Sequence, residues 1–291
     1  MNYISVNQIA KLWKVSPRTV RNYCAHGKIK GTFITGKTWN IPSNATKPIK
    51  DLTTNLCKRL KFERDNKIKN GIYHKIIIEL TFNSNKIEGS KLTQEETRYI
   101  YETNTISNQG ASINIDDIME TVNHFKCFTY ILDKSNYRLS EKLIKDLHKM
   151  LKENTSDSKK DWFAVGDYKK LINEVGGKET TKPHEVSNQM KELLDNYNKI
   201  EKVNFEDIIA FHYNFEIIHP FQNGNGRIGR LIMFKECLKN NIVPFIVQDQ
   251  LKEFYYRGLS NWKSEKEYLM DTCLSAQDDF KKYLDYFGIK Y

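Results

Sequence analysis

Residues 219 to 230 read His-Pro-Phe-Gln-Asn-Gly-Asn-Gly-Arg-Ile-Gly-Arg. These are the parts of a phosphate-handling site. His219 can take a proton near neutral pH. Gly224 and Gly226, on either side of Asn225, let backbone N–H groups come close to an anion. Arg227 and Arg230 lie three residues apart, so on a helix they share a face. An apolar run, Ile228 to Leu238, follows directly, and the N-terminus of that helix adds free N–H groups and dipole to the anion site. A hydroxyl is a poor nucleophile until a base takes its proton. His219 is the one histidine beside the cradle and is the candidate base. His212, among Ile208, Ile209 and Phe215, reads as a core or boundary residue. His26, His74, His124, His148 and His184 show no metal-ligand spacing.

Helical patterns position this segment. They are expected over 57–82, 93–105, 113–133, 139–152, 184–200, 204–218, 227–239, 248–261 and 265–286. Thr93 with Glu96 forms a capping box, and Asn204 with Asp207 starts the helix just before His219. Residues 162–182 hold Gly166, Gly176 and Gly177, with Pro183 just beyond, and read as a β-hairpin with loops. The chain has 291 residues and 39% apolar content, enough for one or two domains with a core. No segment approaches about 18 uncharged apolar residues, so no membrane span is expected. Lys11 and Lys14 interrupt any signal-peptide core. The five cysteines are scattered and without CxxC pairing; they read as reduced thiols in a cytoplasmic protein.

The net charge of +10 is unevenly placed. Residues 1–50 hold nine Lys/Arg and no Asp or Glu, while the remaining 241 residues are nearly balanced. Within this basic segment Ser5 caps one expected helix. Ser16, followed by Pro17, caps a second that ends near Gly27. Alternating runs Ile29–Ile34 and Lys37–Ile41 around Thr35-Gly36 read as a hairpin. Helix, tight turn, helix, hairpin is a winged helix-turn-helix pattern. Residues 1–47 resemble the small DNA-binding modules of the excisionase and MerR type. The resemblance implies that Arg18, Arg21 and Asn22 face double-stranded DNA, with Lys28, Lys30 and Lys37 near phosphates. A basic hairpin used for protein docking is the other reading. Pro42, Ser43, Asn44, Thr46 and Pro48 introduce a linker, placed at 48–56.

The 219–230 segment resembles the Fic family motif, His-x-Phe-x-Asp/Glu-Gly-Asn-Gly-Arg-x-x-Arg. It matches position by position except at Asn223, where the family carries an acid. The resemblance implies a mainly α protein. Its helical Fic core spans roughly 57–262, with a small β-hairpin flap at Tyr168–Val186 and a C-terminal helical extension through Leu274 and Phe280 to residue 291. It implies AMP transfer from ATP to a Tyr, Ser or Thr hydroxyl of a target protein, with His219 as base. Gly224, Asn225 and Gly226 would donate to phosphates, Arg227 would bind the middle of the triphosphate and Arg230 the γ-phosphate. Phe221 would anchor the loop. The family acid holds Mg²⁺; Asn223 offers a neutral carbonyl oxygen instead. Upstream, Ser84-Asn85-Lys86-Ile87-Glu88-Gly89 resembles the family's inhibitory motif, in which Glu88 would pair with Arg230 and block productive γ-phosphate binding. Without the Fic motif, Ser84 to Gly89 reads as a helix end with a glycine cap. Tyr255 and Tyr256 fall where family members contact adenine, and equally where core aromatics sit. The flap strand near Leu171–Val175 could pair with an extended target segment.

Two rival functions remain open at this level. One is a DNA-binding transcription regulator whose nucleotide pocket senses ligand without catalysis. The other is a transferase with a different phosphate donor. A homo-oligomer is compatible with each of these readings.

Overall fold

Short polar caps start most helices of this chain. The computed structural model describes residues 2–47, 53–106 and 112–291. The chain divides into two compact units, 1–51 and 52–291.

In the first unit, strand β1 (Tyr3–Ser5) leads into α1 (Val6–Trp13), which Ser5 and Gln8 close with a reciprocal capping box. Lys14 takes a left-handed conformation, φ 51°, and ends the helix. Ser16 then caps α2 (Pro17–Ala25) by accepting from the Thr19 N–H at 3.1 Å. β2 (Phe33–Thr35) and β3 (Thr38–Pro42) follow. The hairpin is shorter than expected on its first side, and β1 joins it. The sheet order is β1-β3-β2, all antiparallel, with Ile4 opposite Ile41 and Ile34 opposite Trp39. Ile9, Val20 and Ile41 are fully buried in this unit's own core.

The second unit is helical: α3 (Leu56–Asp65), α4 (Ile72–Ile87), α5 (Gln94–Thr103), α6 (Ile115–Asp133) and α7 (Glu141–Lys152). A hairpin of β4 (Glu174–Val175) and β5 (Lys178–Glu179) comes next. Then follow α8 (Pro183–Asn198), α9 (Phe205–Ile218), α10 (Asn225–Lys239), α11 (Lys252–Asn261) and α12 (Glu267–Tyr286). The expected helix over 57–82 is two helices. Lys67 and Asn70 both take positive φ between α3 and α4. The buried Glu63 carboxylate accepts from Arg59 Nε at 2.5 Å and from the Tyr73 N–H at 2.9 Å, so it caps α4 from the preceding helix. Gly71 leaves room for that carboxylate. Residues 249–251 form a 3₁₀ turn, so the helix expected from 248 begins at Lys252. Part of the proposed linker, 48–52, lies outside the described residues.

The core of this unit is built around α10, whose residues Asn225 to Leu238 are all buried. Such a helix carries no apolar stripe, because every face is covered. Phe128, Phe215, Phe221 and Phe280 are among the buried rings around it. Phe280 fixes α12 as a packed element, while Leu274 on the same helix is exposed. Among the described residues no helix is long and apolar enough to cross a membrane.

Candidate active site

The loop between α9 and α10 holds the candidate base. His219 ends α9 with φ 50° and ψ 60°, and its N–H still bonds the Phe215 carbonyl at 2.9 Å. A non-glycine residue in the left-handed region is uncommon and needs outside support. That support comes from both sides of the loop. Phe221 is fully buried and stacks on His148 at a centroid distance of 4.0 Å with planes 7° apart. His148 Nδ1 accepts from the Gly166 N–H at 2.9 Å, which fixes its ring. Asn225 Oδ1 accepts from the Phe221 N–H at 2.9 Å, and its Nδ2 donates to the Phe221 carbonyl at 2.8 Å. The Asn225 side chain is thus spent on bracing the loop, which leaves only the backbone N–H at that position free to face a ligand. Gly224 takes φ 87° at the start of α10, where a β-carbon would stand 3.1 Å from Leu151.

The imidazole of His219 keeps 16% of its surface. Burial pushes it down to about 4, helped by the charge of Lys169, so the ring is neutral and able to accept a proton at neutral pH. Glu216, one turn earlier on α9, places Oε2 3.8 Å from His219 Nδ1. Burial and the nearby Glu88 carboxylate push Glu216 up to about 8, so it carries its own proton at neutral pH.

Both motif arginines are buried and engaged. Arg230 Nη2 bonds Glu88 Oε1 at 2.7 Å and the Ser84 carbonyl at 2.9 Å, while Nε donates to Ser84 Oγ at 3.0 Å. Glu88 caps the C-terminal end of α4, and Gly89 beyond it has φ 97°. Ser84 to Gly89 is therefore a helix end that also reaches Arg230. Burial alone would raise the Glu88 carboxyl, but Arg230 and Arg227 hold it below the usual range. Gly226 lies directly beneath Glu88: a β-carbon there would collide with Oε1. Among the described residues, Arg230 Nη1 is buried with no hydrogen-bond partner.

Arg227 Nη1 pairs with Glu120 of α6, and Nη2 donates to Asn223 Oδ1 at 3.0 Å. Glu120 also pairs with Lys152 at 2.5 Å, and Lys152 with Asp157 at 2.9 Å. Asn223 thus presents one neutral oxygen that already accepts from a cation. That donor set does not by itself make a magnesium site, and among the described residues no cluster of three His, Cys, Asp or Glu could hold a metal.

The two tyrosines part company. Tyr255 is buried and its hydroxyl lies 2.5 Å from His212 Nε2, so it packs under Arg230 rather than facing a nucleotide. Tyr256 is 37% exposed, with its hydroxyl on the Ile87 carbonyl at 3.3 Å. In the first unit Arg18, Arg21 and Asn22 lie exposed on α2, and Lys28 and Lys37 are exposed beyond it.

Three site residues were not found from sequence. Glu120 and Lys169 carry no local signal, because each meets the site from a distant element. Glu216 does carry one, three residues before His219 on a helix.

A family model described as the Fic/DOC family matches residues 138–237. Protein adenylyltransferase Fic of Aedes aegypti is 25% identical over 188 residues, 62% of this chain and 36% of that protein. The Drosophila willistoni protein of the same name is 29% identical over 186 residues, 61% of this chain and 35% of its own length. The matches thus span about a third of these relatives. A Fic domain containing signaling protein from Bacteroides thetaiotaomicron superposes with TM-score 0.59 and 23% identity, covering 80% of this chain and 91% of that one. A Fic family protein from Desulfovibrio desulfuricans gives TM-score 0.61 and 19% identity, covering 81% and 74%. The family-model match omits α4 and α6, which bring Glu88 and Glu120, whereas the structural likeness extends over most of the chain. Within this mainly helical fold, residues 138–237 are the part of the chain that is similar to the Fic/DOC family.

Proposed function

We propose that this protein transfers AMP from ATP to a Tyr, Ser or Thr hydroxyl of a target protein, and of itself when released, and that Glu88 holds it inactive. The observation that carries this reading is the junction of α9 and α10. There a neutral, half-buried imidazole stands beside a glycine-bounded helix N-terminus with two arginines behind it. The adenylyltransferase names of the sequence relatives support the choice of reaction.

In this reading the hydroxyl oxygen attacks the α-phosphorus, its proton passes to His219, and the bond to pyrophosphate breaks. His219 Nδ1 is buried toward Glu216, which leaves Nε2 for the incoming hydroxyl. Backbone N–H groups at Gly224–Gly226 and the Arg227 guanidinium stabilise the charge that develops on the phosphates. Arg230 would hold the γ-phosphate, but it is occupied by Glu88. Magnesium bound chiefly by the nucleotide's own oxygens would add charge neutralisation. The exposed basic face of the first unit would bind duplex DNA in the cytoplasm. A nucleotide-sensing regulator is the second reading, favoured by the engagement of both arginines with acids of this chain.

Transfer of label from α-labelled ATP onto protein tests the reaction. The Glu88→Gly chain should label, and adding His219→Ala should lower the rate roughly a hundredfold or more. Nucleotide binding without any transfer would favour the sensor.

A further inference from the structure

Among the described residues, one buried cation beside His219 has no acid partner. Lys169 stands at the base of the flap and is 3% exposed. Its ammonium donates to Asn173 Oδ1 at 2.7 Å, Thr180 Oγ1 at 2.5 Å and the Ile218 carbonyl at 3.4 Å. All three acceptors are neutral, and burial pushes the ammonium down to about 8. A lone buried ammonium costs stability. A hydrocarbon side chain would fill the same space without that cost.

The geometry shows what the ammonium holds. The Ile218 carbonyl lies immediately before His219, and the Pro220 carbonyl immediately after it accepts from the Lys169 N–H at 2.8 Å. Lys169 therefore grips the chain on both sides of the one residue of this loop that takes a left-handed conformation without being glycine. The end of α9 also favours a cation, because its last carbonyls point there. The same lysine organises the flap. Asn173 donates to the Phe221 carbonyl at 3.0 Å, the Leu171 N–H donates to Gln222 Oε1 at 3.3 Å, and Thr180 bonds back to Asn173. Flap and catalytic loop are thus fastened together around one ammonium.

We propose that Lys169 is the positioning residue of His219, holding the backbone on both sides of the histidine and tying the flap to the same loop. This inference rests on the AMP-transfer reading above. It has an electrostatic consequence. The charged and titratable groups that face His219 are Lys169 from the flap base, Glu216 from α9 and Glu88 from the end of α4. Lys169 favours the neutral imidazole, Glu88 favours the charged one, and Glu216 is protonated at neutral pH. Loss of the ammonium therefore makes His219 easier to protonate.

The test uses the full chain carrying Glu88→Gly, with Lys169→Met, Lys169→Gln or Lys169→Arg added. Two readouts are taken: the NMR titration of the His219 ring, and the pH profile of kcat/KM for AMP transfer. With Met or Gln the His219 titration and the acid limb should both move up by about one pH unit. The kcat should fall roughly tenfold or more while KM for ATP changes less than about threefold. Arg should keep the limb in place. Gln retains a donor for the Ile218 carbonyl and covers the case in which Met fails to fold. A folded Met or Gln chain whose His219 titration does not move would overturn the proposal. If the Glu88→Gly chain with Lys169 intact transfers no AMP, the reaction reading fails, and the ring titration still decides the role of Lys169.

Discussion

Glu88 Oε1 sits 2.7 Å from Arg230 Nη2 and occupies the space that a side chain at Gly226 would need. One carboxylate therefore touches the second motif arginine and covers the turn expected to receive phosphate. The pair predicts a stability coupling that needs no enzymatic assay. Gly226 lies in a helix, where alanine is intrinsically favoured by up to about 1 kcal/mol. Gly226→Ala should nevertheless lower the melting temperature of the wild-type chain, because the new methyl meets the carboxylate. In a Glu88→Gly background the same change should cost far less, since only the movable end of Arg230, with Nη1 3.0 Å from the new methyl, remains to give way. Equal shifts in both backgrounds would mean that Glu88 does not lie over Gly226 in solution.

Asn223 predicts a metal effect. Its oxygen is neutral and accepts from Arg227. Asn223→Asp adds a charged oxygen at that place, so the Mg²⁺ concentration for half-maximal activity should fall several-fold. An unchanged or higher value would show that residue 223 does not face the ion.

Acid stability follows from buried histidines. Burial pushes His124, His148 and His212 down to about 3 and His219 to about 4, against an ordinary value of 6.5. Their folded values are depressed, so the unfolded chain binds more protons between about 4 and 6.5. Stability is full above pH 6.5 and falls as the pH drops, by about 1.4 kcal/mol per pH unit for each such histidine. Glu216 acts oppositely: raised to about 8, it favours the folded state below its unfolded value and loses that contribution as pH rises toward 8. Four histidines outweigh one carboxyl. The melting temperature should already drop between pH 6.5 and 5, before carboxylates with ordinary values take up protons. A flat melting temperature down to pH 5 would contradict the neutral, buried state of these rings.

The basic N-terminal segment predicts salt-sensitive DNA binding, since residues 1–50 hold nine basic residues and no acid. The full chain should bind duplex DNA at low salt, with affinity falling steeply as salt rises. Arg18→Ala with Arg21→Ala should weaken binding and flatten the salt dependence. No detectable binding at low salt would leave protein docking as the use of this face.

Much of the fold was legible because it is written locally. Ser5, Ser16, Thr93 and Asn204 cap their helices as their spacing implies, and the Gly-Asn-Gly turn opens α10. What escaped depends on distant partners. The break between α3 and α4 is set by Glu63 reaching across to the Tyr73 N–H, which no periodicity reveals. Strand β1 was missed because three residues become a strand only when β3 lies beside them. At the site, the contact of Glu88 with Arg230 was expected from a hexapeptide. Tyr255 was harder: core and ligand tyrosines look alike in sequence, and its bond to His212 decides between them. Lys169 and Glu120 had no signal, because both matter through residues some fifty or a hundred positions away.

The central claim is that Glu88 restrains a competent transferase by holding Arg230. Freeing the guanidinium would let the γ-phosphate bind and align the α-phosphorus with the incoming oxygen. The decisive measurement is AMP transfer at fixed ATP and Mg²⁺ for wild type, Glu88→Gly, Arg230→Ala and the double variant. Glu88→Gly should raise transfer roughly tenfold or more, including onto the chain's own hydroxyls. Arg230→Ala should abolish that gain, because both residues act on one interaction. Equal transfer by wild type and Glu88→Gly would contradict the account and leave Glu88 as the cap of a helix.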